Sequence, residues 1–156
     1  MLQAREMDPH EARRRLLWHG VLIAFLSLAE GGVVAAFVNP RMAVTAHVGG
    51  IMTGMLTASF GLIWGDLRLG PAALRTLFSL TVYQGYTQTA GLVLAAAFGT
   101  SRTTPLAGAG HVGAPWQEAV VAVLLVTGAV AILACCVLAL RGLRRPDSDA
   151  NRRAGF

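Results

Sequence analysis

The sequence predicts an all-α membrane protein, a bundle of four transmembrane helices with both termini in the cytoplasm. Three observations predict it. Apolar residues make up 54% of the 156 residues and charged residues only 13%, which is about half the charged share of a soluble domain. Four separate stretches, 16–38, 44–64, 74–98 and 119–140, reach the roughly 20 mostly apolar residues that a spanning helix needs. The basic residues, all of them arginine, gather on the segments that those spans place on one side.

The first span, 16–38, follows Arg5, Arg13, Arg14 and Arg15. It is too long for the apolar region of a signal peptide and ends without a small-residue cleavage pattern. The connection Asn39-Pro40-Arg41 is short. Asn39 suits an N-cap and Pro40 a first helical turn, so the first two spans form an antiparallel hairpin. Arg68 and Arg75 flank the next connection, between 44–64 and 74–98. The loop from Gly99 to Trp116 carries four glycines and two prolines and lies over the outer mouth. Span 119–140 leads into Arg141, Arg144, Arg145, Arg152 and Arg153. Eleven of the 13 basic residues thus share a side, leaving Arg41 and Arg102 for the other, and the positive-inside rule makes the majority side cytoplasmic.

The membrane domain is read as 1–145, with a disordered polar tail over 146–156. The formal charge of +5 belongs to this orientation signal and not to nucleic acid, which is excluded as a partner. The lipid bilayer of a bacterial inner membrane, crossed several times, is the expected environment. Cys135 and Cys136 are adjacent within an apolar run, without the spacing of a metal site or a loop-closing disulfide, and read as packing residues.

A strongly polar side chain in hydrocarbon is costly, so each one within a span is a functional candidate. Glu30 lies in the first, read as a neutral hydrogen-bond donor because no basic residue shares its depth. His47 lies in the second. Tyr83, Gln84, Tyr86, Thr87, Gln88 and Thr89 form a polar band in the third, lining a cavity or else bonding to neighbouring helices. His19 is placed near the cytoplasmic end of the first span, and His111, Gln117 and Glu118 at the outer loop, as a substrate mouth or as solvated loop residues. At 100° per residue, Gly50, Gly54 and Gly61 fall within about 60° of His47. Such a strip serves close helix packing of the GxxxG kind, or a flat cofactor with His47 as axial ligand.

The run from Asn39 to His47 with Gly50 and Gly54 after it, Ile63-Trp64, and Pro105 to His111 followed by Gln117-Glu118 resemble bacterial hydroxylaminobenzene mutases. More distantly, Trp18-His19-Gly20 and Ala46-His47 through Gly54-Met55 resemble styrene oxide isomerase. That resemblance implies a homotrimer with haem b bound between subunits and His47 as the ligand of its iron. Two departures are Thr53, where the isomerase has asparagine, and an apolar position near Leu92, where it has a tyrosine.

The expected function is a haem-dependent isomerase of a small aromatic substrate. Ferric haem would act as Lewis acid to convert an arylhydroxylamine to an aminophenol or an aryl epoxide to an aldehyde. Glu30, Thr53, Tyr83, Tyr86 and Gln88 are the catalytic candidates, His111, Gln117 and Glu118 the mouth, and His47, Gly50 and Gly54 the cofactor site. An electron-transfer cytochrome and a small transporter or channel subunit are the competing classes.

Overall fold

The structure, a computed structural model, describes residues 8–144. The tail expected at 146–156, together with Arg5, Arg145, Arg152 and Arg153, lies outside the described residues. The fold is all-helical among them: α1 (Pro9–Gly31), α2 (Pro40–Leu62), α3 (Pro71–Phe98), the single turn α4 (Pro105–Gly108) and α5 (Pro115–Arg144).

Each of these helices opens on a proline. The ring pre-sets a helical φ, and its missing N–H would have had no partner in the first turn. Asp8 caps α1 by accepting from the His10 N–H at 3.1 Å, and Asn39 caps α2 by accepting from the Met42 N–H at 3.0 Å. The helix α3 ends where Gly99 turns left-handed, at φ 64°, a conformation that glycine adopts without steric cost.

The first helix departs from expectation. It runs Pro9–Gly31 instead of 16–38, because Asp8-Pro9 starts it early and Gly31-Gly32 ends it early. The link to α2 is therefore longer than Asn39-Pro40-Arg41 and contains a 3-10 turn at Val34–Ala36. His19 moves with it, from a helix end to the middle of α1.

Contacts fix the packing. Gly20 meets Gly54 and Ser27 meets Gly50 between α1 and α2, Gly49 meets Leu92 and Thr57 bonds Gln84 between α2 and α3, and Gln88 meets Gly128 and Gly91 meets Leu125 between α3 and α5. In each pair residue numbers rise on one helix as they fall on the other, so neighbours are antiparallel. Arg13, Arg14, Arg15, Arg68, Arg75, Arg141 and Arg144 thereby fall at one end of the bundle, and Arg41 and Arg102 at the other.

The core has two apolar clusters, one around Leu16, Phe60, Trp64 and Leu77, the other around Met42, Ala95, Ala96 and Val121. Between them lie buried Ser27, Thr57, Thr81 and Gln84, while Phe25, Met52, Val130 and Leu133 face outward at more than 60% exposure. Polar groups inside and large apolar groups outside invert the arrangement of a soluble domain. Of the described helices, α5 alone is long and apolar enough throughout to cross a membrane by length and composition. The other long helices carry the histidine, carboxylate, glycines and polar band.

Candidate active site

His47 stands in the second turn of α2, with Nδ1 2.7 Å from the Ser27 carbonyl oxygen of α1. A carbonyl only accepts, so the ring donates through Nδ1, and a neutral ring then carries its lone pair on Nε2. This is the tautomer that a metal-binding histidine needs, with the second nitrogen oriented by a backbone acceptor. The orienting acceptor is the backbone carbonyl of Ser27 and not a side-chain carboxylate. Gly31 allows the approach: a Cβ there would stand 2.3 Å from Nδ1 and 2.5 Å from Cε1 of the ring.

The glycine strip beside His47 is a helix–helix seam. A Cβ on Gly50 would lie 2.0 Å from Ser27 Oγ, and one on Gly54 2.6 Å from the Gly20 carbonyl oxygen and 2.7 Å from the Ala24 nitrogen. Both positions are filled by α1, so Gly50 and Gly54 do not cradle a macrocycle inside the chain. The donor chemistry of His47 fits an axial ligand. The strip assigned to the cofactor does not fit it.

A cavity of about 300 Å³ separates α1 from α3, walled by Ile23, Ser27 and Glu30 on one side and Tyr86, Thr89 and Val93 on the other. Leu26 and Ala90, both exposed, form its rim. Ser27 Oγ donates to the Ile23 carbonyl at 2.9 Å and Thr89 Oγ1 to the Gly85 carbonyl at 2.8 Å, so neither hydroxyl seeks a ligand to receive its proton. Both Glu30 carboxyl oxygens are buried without a hydrogen-bond partner. Tyr86 Oη lies 2.8 Å from His19 Nδ1, with the rings edge to face at 5.6 Å.

The polar band of α3 does not line one cavity, because 100° per residue spreads it around the helix. Tyr86 and Thr89 face α1. Gln84 donates to Thr57 of α2 at 3.2 Å. Tyr83 donates to Thr127 of α5 at 2.8 Å, and Thr87 bonds back to the Tyr83 carbonyl at 2.8 Å. The buried Gln88 Oε1 has no partner and sits 3.1 Å from where a Gly128 Cβ would be. Tyr83 and Gln88 therefore belong to the α3–α5 seam, away from the cavity, and half-buried Thr53 does not line it either.

The residues assigned to a mouth fasten the outer loop. Glu118 Oε1 accepts from the backbone N–H of Ser101 at 3.0 Å and of Gly113 at 3.2 Å, and Oε2 from that of Arg102 at 3.0 Å. It lies in the first turn of α5, just before the span 119–140. Burial pushes its carboxyl upward, but the three backbone bonds and the Arg102 charge prevail and hold it below the usual carboxylate range. Gln117 Oε1 accepts from the Ala114 N–H at 2.7 Å, and His111 Nδ1 donates to the Gly108 carbonyl at 3.0 Å. Asn39, unnoticed as more than a cap, also donates to the Ala107 and Gly108 carbonyls at 3.2 and 2.9 Å. Ser27 was missed as well, although its place three residues before Glu30 puts both on one face of α1.

The sequence signature of styrene oxide isomerase spans residues 12–144. The chain belongs to that family. It is 34% identical over 142 residues to the hydroxylaminobenzene mutase HabB of Ectopseudomonas oleovorans, covering 90% of this chain and 87% of that one. It is 34% identical over 127 residues to HabA of the same organism, covering 81% and 94%. No solved structure matches the chain. As a member of the family this protein is an isomerase, and its long apolar α5 and inverted polarity make it a membrane protein.

Proposed function

We propose that this isomerase rearranges an arylhydroxylamine to an aminophenol, using haem b held by His47 in a four-span bundle of the bacterial inner membrane. The observation that carries it is the His47–Ser27 bond, which leaves an oriented Nε2 lone pair on a ring that lies against Gly31, the residue after an unpartnered carboxyl. Identity to the hydroxylaminobenzene mutases over most of their length supports this substrate over an epoxide, as do Thr53 and Leu92, which depart from the resembling isomerase. At 1.5 Å per residue the four long helices are each about 34 Å or more in length, enough for the roughly 30 Å hydrocarbon layer. The arginine-rich end would be cytoplasmic. With the strip filled by α1, this reading has the haem on a face between copies of a homotrimer.

The reaction is redox-neutral. The N–O bond breaks, a C–O bond forms at the ortho carbon, and the ring proton displaced there is transferred to the nitrogen. His47 would hold the haem through Nε2, and the iron would supply Lewis-acid chemistry there. The chain's own residues orient and move protons: Ser27 holds the His47 tautomer, and Glu30, as a neutral acid in an apolar wall, donates a hydrogen bond to the substrate's polar head. The apolar walls exclude water, so the hydroxyl that leaves nitrogen is delivered to the ring of the same molecule.

Purified protein tests the reading. It should show a Soret band and convert phenylhydroxylamine to 2-aminophenol, and His47→Ala should lose both while keeping its helical circular dichroism. A wild type that rearranges the substrate without a Soret band would remove haem from the proposal, and a bis-histidine spectrum would remove its open coordination position.

A further inference from the structure

We propose that the groove between α1 and α3 is a lateral chamber for a single aromatic ring, entered from the lipid, with the Glu30 carboxyl binding the ring's polar nitrogen substituent. The assignment rests on the reaction proposed above and locates its substrate.

Size sets the first limit. A cavity of about 300 Å³ is roughly twice one that holds benzene, which matches one ring and a short polar substituent. Polarity sets the second. Among the polar groups on the walls, the hydroxyls of Ser27 and Thr89 donate to carbonyls of their own helix, and the Tyr86 hydroxyl is held by His19. Glu30 alone presents buried oxygens without a partner. A buried polar group left unpaired is destabilising, so the favoured ligand is apolar along its length and carries one group able both to donate and to accept. An N-hydroxyamino group does both.

Access decides the route. Toward the outer aqueous face, Asn39 and Glu118 tie down the loop that closes the bundle. The opening lies at the side, between Leu26 and Ala90, both exposed and both within long helices. A ring entering there comes from the hydrocarbon, where an aromatic substrate concentrates. Its polar end meets Glu30, and the next residue, Gly31, lies against the His47 ring. The chamber thus delivers the N–O bond toward the histidine.

Phenyl azide, a single ring with a nitrogen head, tests the site without needing turnover. Photolysis with the full chain in lipid nanodiscs should label peptides containing residues 23–30 and 86–93, and excess aniline should suppress the label. Ala90→Phe, whose ring would reach from the rim into the chamber, and the rim variant Leu26→Trp should each reduce labelling about tenfold or more. Glu30→Leu should reduce it about tenfold, the equivalent of one hydrogen bond of about 1.4 kcal/mol, and Glu30→Gln should largely restore it. Labelling elsewhere, or labelling that neither aniline nor the rim variant alters, would overturn the chamber, as would a groove occupied only by acyl chains. Specific, competed labelling by a wild type that fails to rearrange phenylhydroxylamine would uphold the chamber and sink the proposed reaction instead.

Discussion

Replacing Gly54 by alanine should destabilise the bundle without removing any ligand. The added Cβ would stand 2.6 Å from the Gly20 carbonyl oxygen and 2.7 Å from the Ala24 backbone nitrogen, and neither atom can rotate away as a side chain would. The helices must separate by several tenths of an ångström along a seam that also holds Gly50 against Ser27 and His47 against Gly31. Overpacking of this kind costs roughly 1–3 kcal/mol, a five- to 150-fold shift in the unfolding constant. Gly20→Ala meets the reciprocal clash with the Gly54 carbonyl, also at 2.6 Å, so the pair should be non-additive: once one alanine has parted the helices, the second costs less. Gly65→Ala, with nothing within 4 Å of the new Cβ, is the control. Unfolding by SDS titration in mixed micelles reads the wild type, the two single variants, their double variant and the control. Gly54→Ala at wild-type stability would refute the seam, and loss of bound haem at unchanged stability would return the strip to the cofactor.

Glu118→Ala should release the outer loop, with loss of at least about 2 kcal/mol of closure because charged hydrogen bonds are removed; hydrogen exchange at Ser101, Arg102 and Gly113 measures it. The Glu118 carboxyl titrates lower in the closed loop than in the open one, so its contribution is complete above the ordinary carboxylate range and is lost as pH falls through the depressed value. Protection of those amides should hold from neutral pH down through the ordinary carboxylate range and fail only at more acidic pH. Tyr83→Phe removes one bond to Thr127, should cost about 1 kcal/mol or less and should leave kcat within about twofold; a collapse in turnover would restore Tyr83 to the site. Reporter fusions after residue 144 and within residues 99–114 should report opposite sides of the membrane, and agreement between them would overturn the four-span topology.

The family and the helical class were legible in the residues themselves. Apolar composition, the arginine distribution and the proline and glycine punctuation each act locally, so no tertiary contact is needed to read them. His47 was legible as a candidate ligand for the same reason, since a histidine in a span stands out against its neighbours. Its partner was not, because the Ser27 carbonyl belongs to backbone that every residue carries, and only the close approach of α1 selects that one. Glycine spacing located the strip, yet a strip free of side chains admits a flat ligand or another helix equally well. The tertiary structure decided for the helix by placing Gly20, Ala24 and Ser27 there. The polar band was visible as a cluster in sequence, but whether six side chains converge or diverge depends on which helices surround α3. With α1, α2 and α5 on different sides, 100° per residue sent them to three different neighbours, leaving Tyr86 and Thr89 to face Glu30 across the cavity.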